Sequence, residues 1–337
     1  MLVAPARSGN SQSDDRNSTA IECVSVSVPA RLHVGFVDLH GGLGRRFGSL
    51  GISLDAPETR VRLRRADGLS VEGADVERAR GYLETLVAHF GLDPGMRLEI
   101  ESAIPEHAGL GSGTQLSLAI GVACCRLHGL EADARVLAGL LDRGLRSSIG
   151  IASFERGGVI LDGGRGEADC APPVIARLPF PDAWRMLLVY DDARRGLHGA
   201  AEVEAFRSLP PFPPERAAQL CRLVLMGVLP ALAEHDLDRF GAGLAELQRA
   251  IGDYFAPAQG ARYTSPLVAE VLGWMESQSV RGVGQSSWGP TGFAILGSEG
   301  DAARLAREAE RRWSGAAGLR FAVSRGRNHG GEVAIEP

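Results

Sequence analysis

The stretch Pro105-Glu-His-Ala-Gly-Leu-Gly-Ser-Gly-Thr-Gln-Leu116 constrains the fold more than any other part of the 337-residue chain. It joins an alternating run over 96–102 to a nearly all-apolar run over 114–127. Alternation predicts a half-buried strand, and an apolar run of that length without a polar face predicts a buried helix. Three glycines and two small hydroxyl residues therefore fall on a strand-to-helix turn. Glycine adopts positive φ without a Cβ penalty and lets a ligand approach the main chain. A helix begins with N–H groups that no helical carbonyl accepts, and its N-terminus carries a partial positive charge. The expected product is a phosphate cradle built from Gly109, Leu110, Gly111, Ser112, Gly113, Thr114 and Gln115. It is neither a P-loop, since the GxxxxGK[ST] lysine is missing, nor a GxGxxG dinucleotide fingerprint.

Around this turn, strands and helices follow in mixed order. Alternation predicts strands over 23–28, 32–39, 52–54 and 59–64, and later over 159–161, 186–189, 293–296 and 319–323. Helical spacing of Val76, Ala79, Leu83, Val87 and Phe90 predicts a helix over 75–90. Further helices are expected over 133–141, 215–233, 237–254, 265–276 and 302–313. Without a regular βαβ rhythm, the class is α+β rather than a doubly wound sheet. Ser208-Leu-Pro-Pro-Phe-Pro-Pro214 interrupts regular structure with four prolines. The expected organisation is a polar, disordered tail over 1–20, a first domain over 21–190 and a second over 191–337.

Composition excludes some classes. A net charge of −5 argues against bulk nucleic-acid binding, although arginine dominates the cations and can concentrate in one cleft. Five cysteines without a CxxC pair or a metal-ligand spacing fit reduced thiols in a cytoplasm. No run approaches the roughly 18 apolar residues of a membrane span, so no membrane partner is expected.

Three more segments carry candidate chemistry. Arg31, His33 and Gly35 share one face of a strand by the two-residue period. Arg31 suits a phosphate or carboxylate, and His33 with Asp38 suits proton transfer or a metal; the plain alternative is an edge strand with a solvated polar face. In Arg143-Gly-Leu-Arg-Ser-Ser-Ile-Gly150, Arg146 can neutralise an anion and Ser147 and Ser148 can donate to it, or the segment is a helix cap and turn. In Arg281-Gly-Val-Gly-Gln-Ser-Ser-Trp-Gly-Pro-Thr-Gly292, a second Gly/Ser loop precedes a strand, and Trp288 can stack on a ring.

The Pro-x-x-x-Gly-Leu-Gly-Ser-Gly pattern of residues 105–113 resembles the second motif of the GHMP kinase superfamily, and residues 282–292 look like its third. That resemblance implies a ribosomal-protein-S5-domain-2-like N-terminal domain and a ferredoxin-like C-terminal domain. Within the superfamily, Pro-Ala-Arg-Leu-His-Val-Gly-Phe-x-Asp-Leu from Pro29, Arg-Gly-x-Arg-Ser-x-Ile-Gly-x-x-x-Phe-x-x-Gly-Gly from Arg143 and Gly-Gln-Ser-Ser-Trp-Gly-Pro-Thr from Gly284 are similar to the β-ribofuranosylaminobenzene 5′-phosphate synthase family, over about residues 24–331. The resemblance implies condensation of phosphoribosyl pyrophosphate with 4-aminobenzoate or 4-hydroxybenzoate, releasing CO2 and pyrophosphate, in tetrahydromethanopterin biosynthesis. It also implies Mg2+, with ligands left open, and a homodimer. Arg31, His33, Asp38, Arg146, Ser147 and Ser148 become catalytic candidates, and Gly284, Gln285, Ser286, Ser287 and Trp288 substrate-binding ones. GHMP kinases commonly place an aspartate where this chain reads Ser148-Ile-Gly-Ile-Ala-Ser-Phe154, with no carboxylate before Glu155. A kinase without that base activates a hydroxyl poorly. An ATP-dependent small-molecule kinase and a non-catalytic ligand-binding protein on the same scaffold are the two alternatives.

Overall fold

The computed structural model describes residues 21–131, 133–167, 170–197 and 199–336; the tail expected over 1–20 lies outside them. Two long antiparallel strands, β1 (Cys23–Asp38) and β2 (Phe47–Arg65), organise the first sheet. Val24, Val26 and Val28 point to the core while Ser25 and Ser27 alternate with them. The breaks expected after 28 and after 54 are register shifts and bends within continuous strands, because Pro29 sits at a bulge where no ladder N–H is needed.

The chain then forms β3 (Ser70–Glu72), α1 (Val76–Phe90), β4 (Met96–Ser102), α2 (Ser112–Leu127), α3 (Ala134–Leu140), α4 (Ile149–Glu155), β5 (Val159–Asp162) and β6 (Val174–Leu178). The sheet order is β11-β1-β2-β4-β3, with β5 on β2 and β6 on β5; its edge strand β11 (Glu332–Glu336) is the last of the chain. Helices α1 and α2 cover one face, and α2 is buried nearly all round.

The second sheet begins with β7 (Arg185–Asp191). It continues through α5 (Gly199–Ser208), α6 (Pro214–Leu223), α7 (Leu229–Ala233), α8 (Leu237–Gln259), α9 (Pro266–Ser277), β8 (Gly282–Gln285), β9 (Gly292–Leu296), α10 (Glu299–Arg312) and β10 (Leu319–Ser324). The antiparallel order β10-β7-β9-β8 is that of a ferredoxin-like sheet. β7 of the second sheet begins at Arg185, and β11, at the far end of the chain, returns to pair with β1 of the first. Leu32, Val34, Leu50 and Ile52 of the first sheet share one core with Met186, Leu188 and Phe293 of the second and with Phe240 and Leu244 of α8.

Among the described residues, Pro214–Ala233 is long and apolar enough by length and composition to cross a membrane, a run the composition reading passed over. Here Leu220, Val224, Val228 and Leu232 of this helix are buried in the shared core. The opposite face is open, with Leu225 and Met226 exposed.

Candidate active site

The loop after β4 reaches α2 through Gly109 (φ 82°) and Gly111 (φ 86°). Gly111 is the N-cap and offers no side-chain bond, so the first-turn N–H groups of α2 open onto the space before them. Gly109 is needed for a second reason: a Cβ there would lie 2.1 Å from the Ser286 carbonyl oxygen. Opposite it, a Cβ on Gly289 would lie 2.2 Å from the Ala108 main chain. The two glycine-rich loops therefore meet backbone to backbone. Ser286 clamps the junction: its hydroxyl donates to Gly109 O at 2.7 Å and accepts from His33 N–H at 3.0 Å. Ser287 N–H donates to His33 O at 3.0 Å, which fixes β1 against the same loop.

In front of this turn lies a cleft of about 350 Å³, lined by Ser112, Gly113 and Thr114, by Arg31, Arg78, Arg143 and His107, and by Ser287 and Trp288. The chain contains no lysine, so every cation here other than histidine is a guanidinium, whose planar fork matches phosphate. Arg31 Nη1 donates to Gly109 O at 2.5 Å and its N–H to Leu110 O at 3.1 Å. Burial lowers its pKa to about 10, partly opposed by Glu202, and leaves it charged at neutral pH. Arg78 and Arg143 converge on Gly113: both guanidiniums lie 3.7 Å from where its Cβ would be. Arg143 also donates to Tyr82 Oη at 2.7 Å, and Arg78 pairs with Asp75 at 2.8 Å and Glu106 at 3.4 Å. Burial, then the hydrogen bond with Glu106, pushes the Asp75 carboxyl up to about 6.

Ser287 and Trp288 also wall a second, smaller pocket of about 30 Å³, lined by aromatic side chains and with room for a group of a few atoms rather than a ring. Trp288 packs at 4.2 Å from Phe255 and 5.6 Å from Phe206, ring centre to ring centre, and Phe36 sets its edge on His33 at 4.6 Å. His33 is 5% exposed, and its Nε2 has no hydrogen-bond partner among the described residues. Desolvation first, then Arg31, lowers the His33 pKa to about 3, so the ring is neutral. The buried Trp288 Nε1 is likewise unpartnered.

Several sequence candidates lie elsewhere. Asp38 ends β1 and lines neither cavity; its Oδ1 accepts the N–H groups of His40 and Gly41 and closes a turn. No group of three or more His, Cys, Asp or Glu that could hold a metal occurs among the described residues, so His33 and Asp38 form no metal centre. Arg146 does not line the cleft. It pairs through both outer nitrogens with Glu202, at 2.5 and 3.0 Å, and stacks on Phe206. Ser147 and Ser148 cap α4: Ser147 Oγ and Ser148 N–H both donate to Asp162 Oδ2, at 3.0 and 2.9 Å. Gln115 ties α2 to Gly150 O at 2.8 Å, and the Leu110 side chain is core. Gly284 packs closely on Gln248, and Gln285 holds its own loop through Ser287 O and the Thr264 N–H.

Arg78, Arg143, His107 and Glu202 were not among the sequence candidates. Arg143 stood inside a flagged segment. Arg78 reads as one more polar position on an amphipathic helix, and Glu202 falls in a stretch, 190–207, for which the sequence predicts no element.

A glycine-rich turn at a helix N-terminus, clasped between an S5-like and a ferredoxin-like unit, defines a class, and comparison with known proteins agrees with it. The GHMP kinases N terminal domain family matches residues 77–158, and the GHMP kinases C terminal family matches 228–315. Homoserine kinase from Cytophaga hutchinsonii shares the fold, with a TM-score of 0.63, 18% identity, and coverage of 96% of this chain and 100% of that one. The fold is thus that of the GHMP kinase superfamily. Within it, the beta-ribofuranosylphenol 5′-phosphate synthase of Methanothermobacter thermautotrophicus is 34% identical over 296 residues, 80% of this chain and 88% of that protein. The synthase of the same name from Archaeoglobus fulgidus is 34% identical over 322 residues, 91% of this chain and 98% of that protein. The chain belongs to this family of synthases and is an enzyme.

Proposed function

We propose that the enzyme joins the ribosyl carbon of phosphoribosyl pyrophosphate to the carboxyl-bearing carbon of 4-hydroxybenzoate or 4-aminobenzoate, releasing pyrophosphate and CO2. One observation carries this reading: Ser287 and Trp288 wall both the arginine cleft and the aromatic pocket, so an anionic donor and an aromatic acceptor would meet at one edge. The relatives' name supports 4-hydroxybenzoate, since loss of its carboxylate leaves a phenol ring.

In this mechanism the first turn of α2, Arg31, Arg78 and Arg143 bind the pyrophosphate and stabilise the charge it gains. The C1–oxygen bond breaks and its electron pair leaves with pyrophosphate. The ring carbon bearing the carboxylate attacks the oxocarbenium-like C1 and forms the C–C bond. The bond to the carboxylate then breaks, its electrons restore the aromatic ring, and CO2 departs. No hydroxyl needs deprotonation for this. Asp162, the carboxylate nearest the α4 turn, is already engaged by Ser49, Ser147, Ser148 and Gly164. Magnesium would come with the substrate's phosphates and would make pyrophosphate a better leaving group; the cleft wall offers it the hydroxyls of Ser112 and Thr114, while both oxygens of Glu202 are held by Arg146.

Incubation with carboxyl-labelled 4-hydroxybenzoate tests this. Labelled CO2 should appear only with phosphoribosyl pyrophosphate and without ATP. ATP-dependent phosphorylation without CO2 release would overturn the proposal in favour of a kinase.

A further inference from the structure

The new bond forms at the carboxyl-bearing carbon, which must face the donor cleft. The para substituent, across the ring, then points away from the cleft and into the aromatic pocket. His33, Gln248, Gln259, Arg262 and Gln285 are the hydrogen-bonding side chains that line this pocket and not the cleft. The three glutamines are already committed, and Arg262 is solvent-exposed and turned onto Asp253. Gln248 accepts from Gln285 N–H and donates to Gln285 O and Val34 O. Gln285 accepts from Thr264 N–H and donates to Ser287 O, and Gln259 donates to Arg262 O. Arg262 is held by both oxygens of Asp253. His33 Nε2 is left, buried and unpartnered; Trp288 Nε1 is too, but Trp288 also walls the cleft, so His33 is the one that lines this pocket alone.

From these placements we infer that His33 reads the para substituent of the aromatic acid, bonding a hydroxyl or amino group through Nε2 and disfavouring acceptors that carry an apolar group there. The inference rests on the acceptor orientation of the proposed reaction. A buried polar atom without a partner is costly, and an acceptor with a polar para group relieves that cost where a methyl group cannot. With about 30 Å³ of space between Phe36, Phe255 and Trp288, the pocket takes the para substituent, and the ring itself stays at the mouth against Trp288. His33 is thus a specificity residue rather than a metal ligand or the general base.

Isothermal titration of 4-hydroxybenzoate and its near-isostere 4-methylbenzoate, both with pyrophosphate present, tests the inference on the full chain. The unaltered enzyme should prefer the hydroxyl compound by about 10- to 100-fold, the range expected for a buried hydrogen bond left unmade. His33→Phe should bring the two ligands to within about threefold, mainly by weakening 4-hydroxybenzoate, and His33→Gln should recover part of the preference. No preference in the unaltered enzyme, an unchanged preference in folded His33→Phe, or an equal loss for both ligands would overturn the role. The binding measurement needs no turnover, so it stands apart from the reaction. Absence of CO2 release with a His33-dependent preference would sink the reaction and keep the subsite. CO2 release with a preference indifferent to His33 would do the reverse.

Discussion

Two helix N-termini, rich in the same residue types, end up with opposite fates. Gly109–Thr114 leads into α2 and Arg143–Ser148 into α4, and each offers glycine, serine and an arginine nearby. At α2 the N-cap is Gly111, no side chain bonds the first turn, and the open N–H groups face a cleft containing three arginines. At α4, Asp162 Oδ2 takes Ser148 N–H and Ser147 Oγ, and Ser148 Oγ bonds Pro172 O. The protein supplies its own anion there. The comparison teaches that composition marks a helix start, but only an unfilled one can bind a ligand.

That contrast can be broken by substitution, and the largest effect should fall at the open end. Arg31→Ala should lower kcat/KM by about 100- to 1000-fold, as for loss of a donor to developing charge. Circular dichroism should still report a folded chain, and a near-normal rate would take this cleft out of the chemistry. Asp162→Ala should cost about 2–4 kcal/mol in denaturant-measured stability, since several buried donors lose their acceptor. Its KM for phosphoribosyl pyrophosphate should stay within about twofold wherever it is folded; a rise to match Arg31→Ala would make the α4 turn part of the site.

Smaller effects sharpen the picture. Arg143→Gln should weaken pyrophosphate binding about tenfold by titration, the value of one charge-assisted bond. Ser147→Ala should cost only about 0.5–1 kcal/mol of stability and leave the rate unchanged. The least effect is on pH dependence. Asp75, with its pKa raised to about 6, is ionised above that pH and places a negative charge against Arg78. Below about pH 6 that charge is neutralised, so pyrophosphate affinity, taken as a ratio to that of Asp75→Asn to cancel the ligand's own protonation, should rise about twofold as pH falls. A ratio that stays flat or falls over the same range would contradict the assignment of Arg78 to the anion.

Much of the fold is legible locally. The helices α1, α2, α8 and α9 and the strand β4 follow from periodicity, and the strand-to-helix turn from its glycines. The motifs at Pro105 and Gly282 further pointed to the two-unit scaffold. Other features left no local trace. Pro29 looks like a strand break until a bulge accommodates it. The short α4 and the edge strand β11 exist because neighbouring elements complete them.

By itself, then, the chain's sequence determined where its helices start, which faces are apolar, and that one turn exposes main-chain N–H groups. These properties depend on residues a few positions apart. Tertiary structure decided which of the glycine- and serine-rich turns stays open, which arginines reach it and what stands behind Trp288. Ser286 meets His33 across 253 residues of chain and Asp162 meets Ser49 across 113. Whether a polar group is satisfied or left waiting depends on such distant partners and on the water they exclude, and neither is written in local spacing.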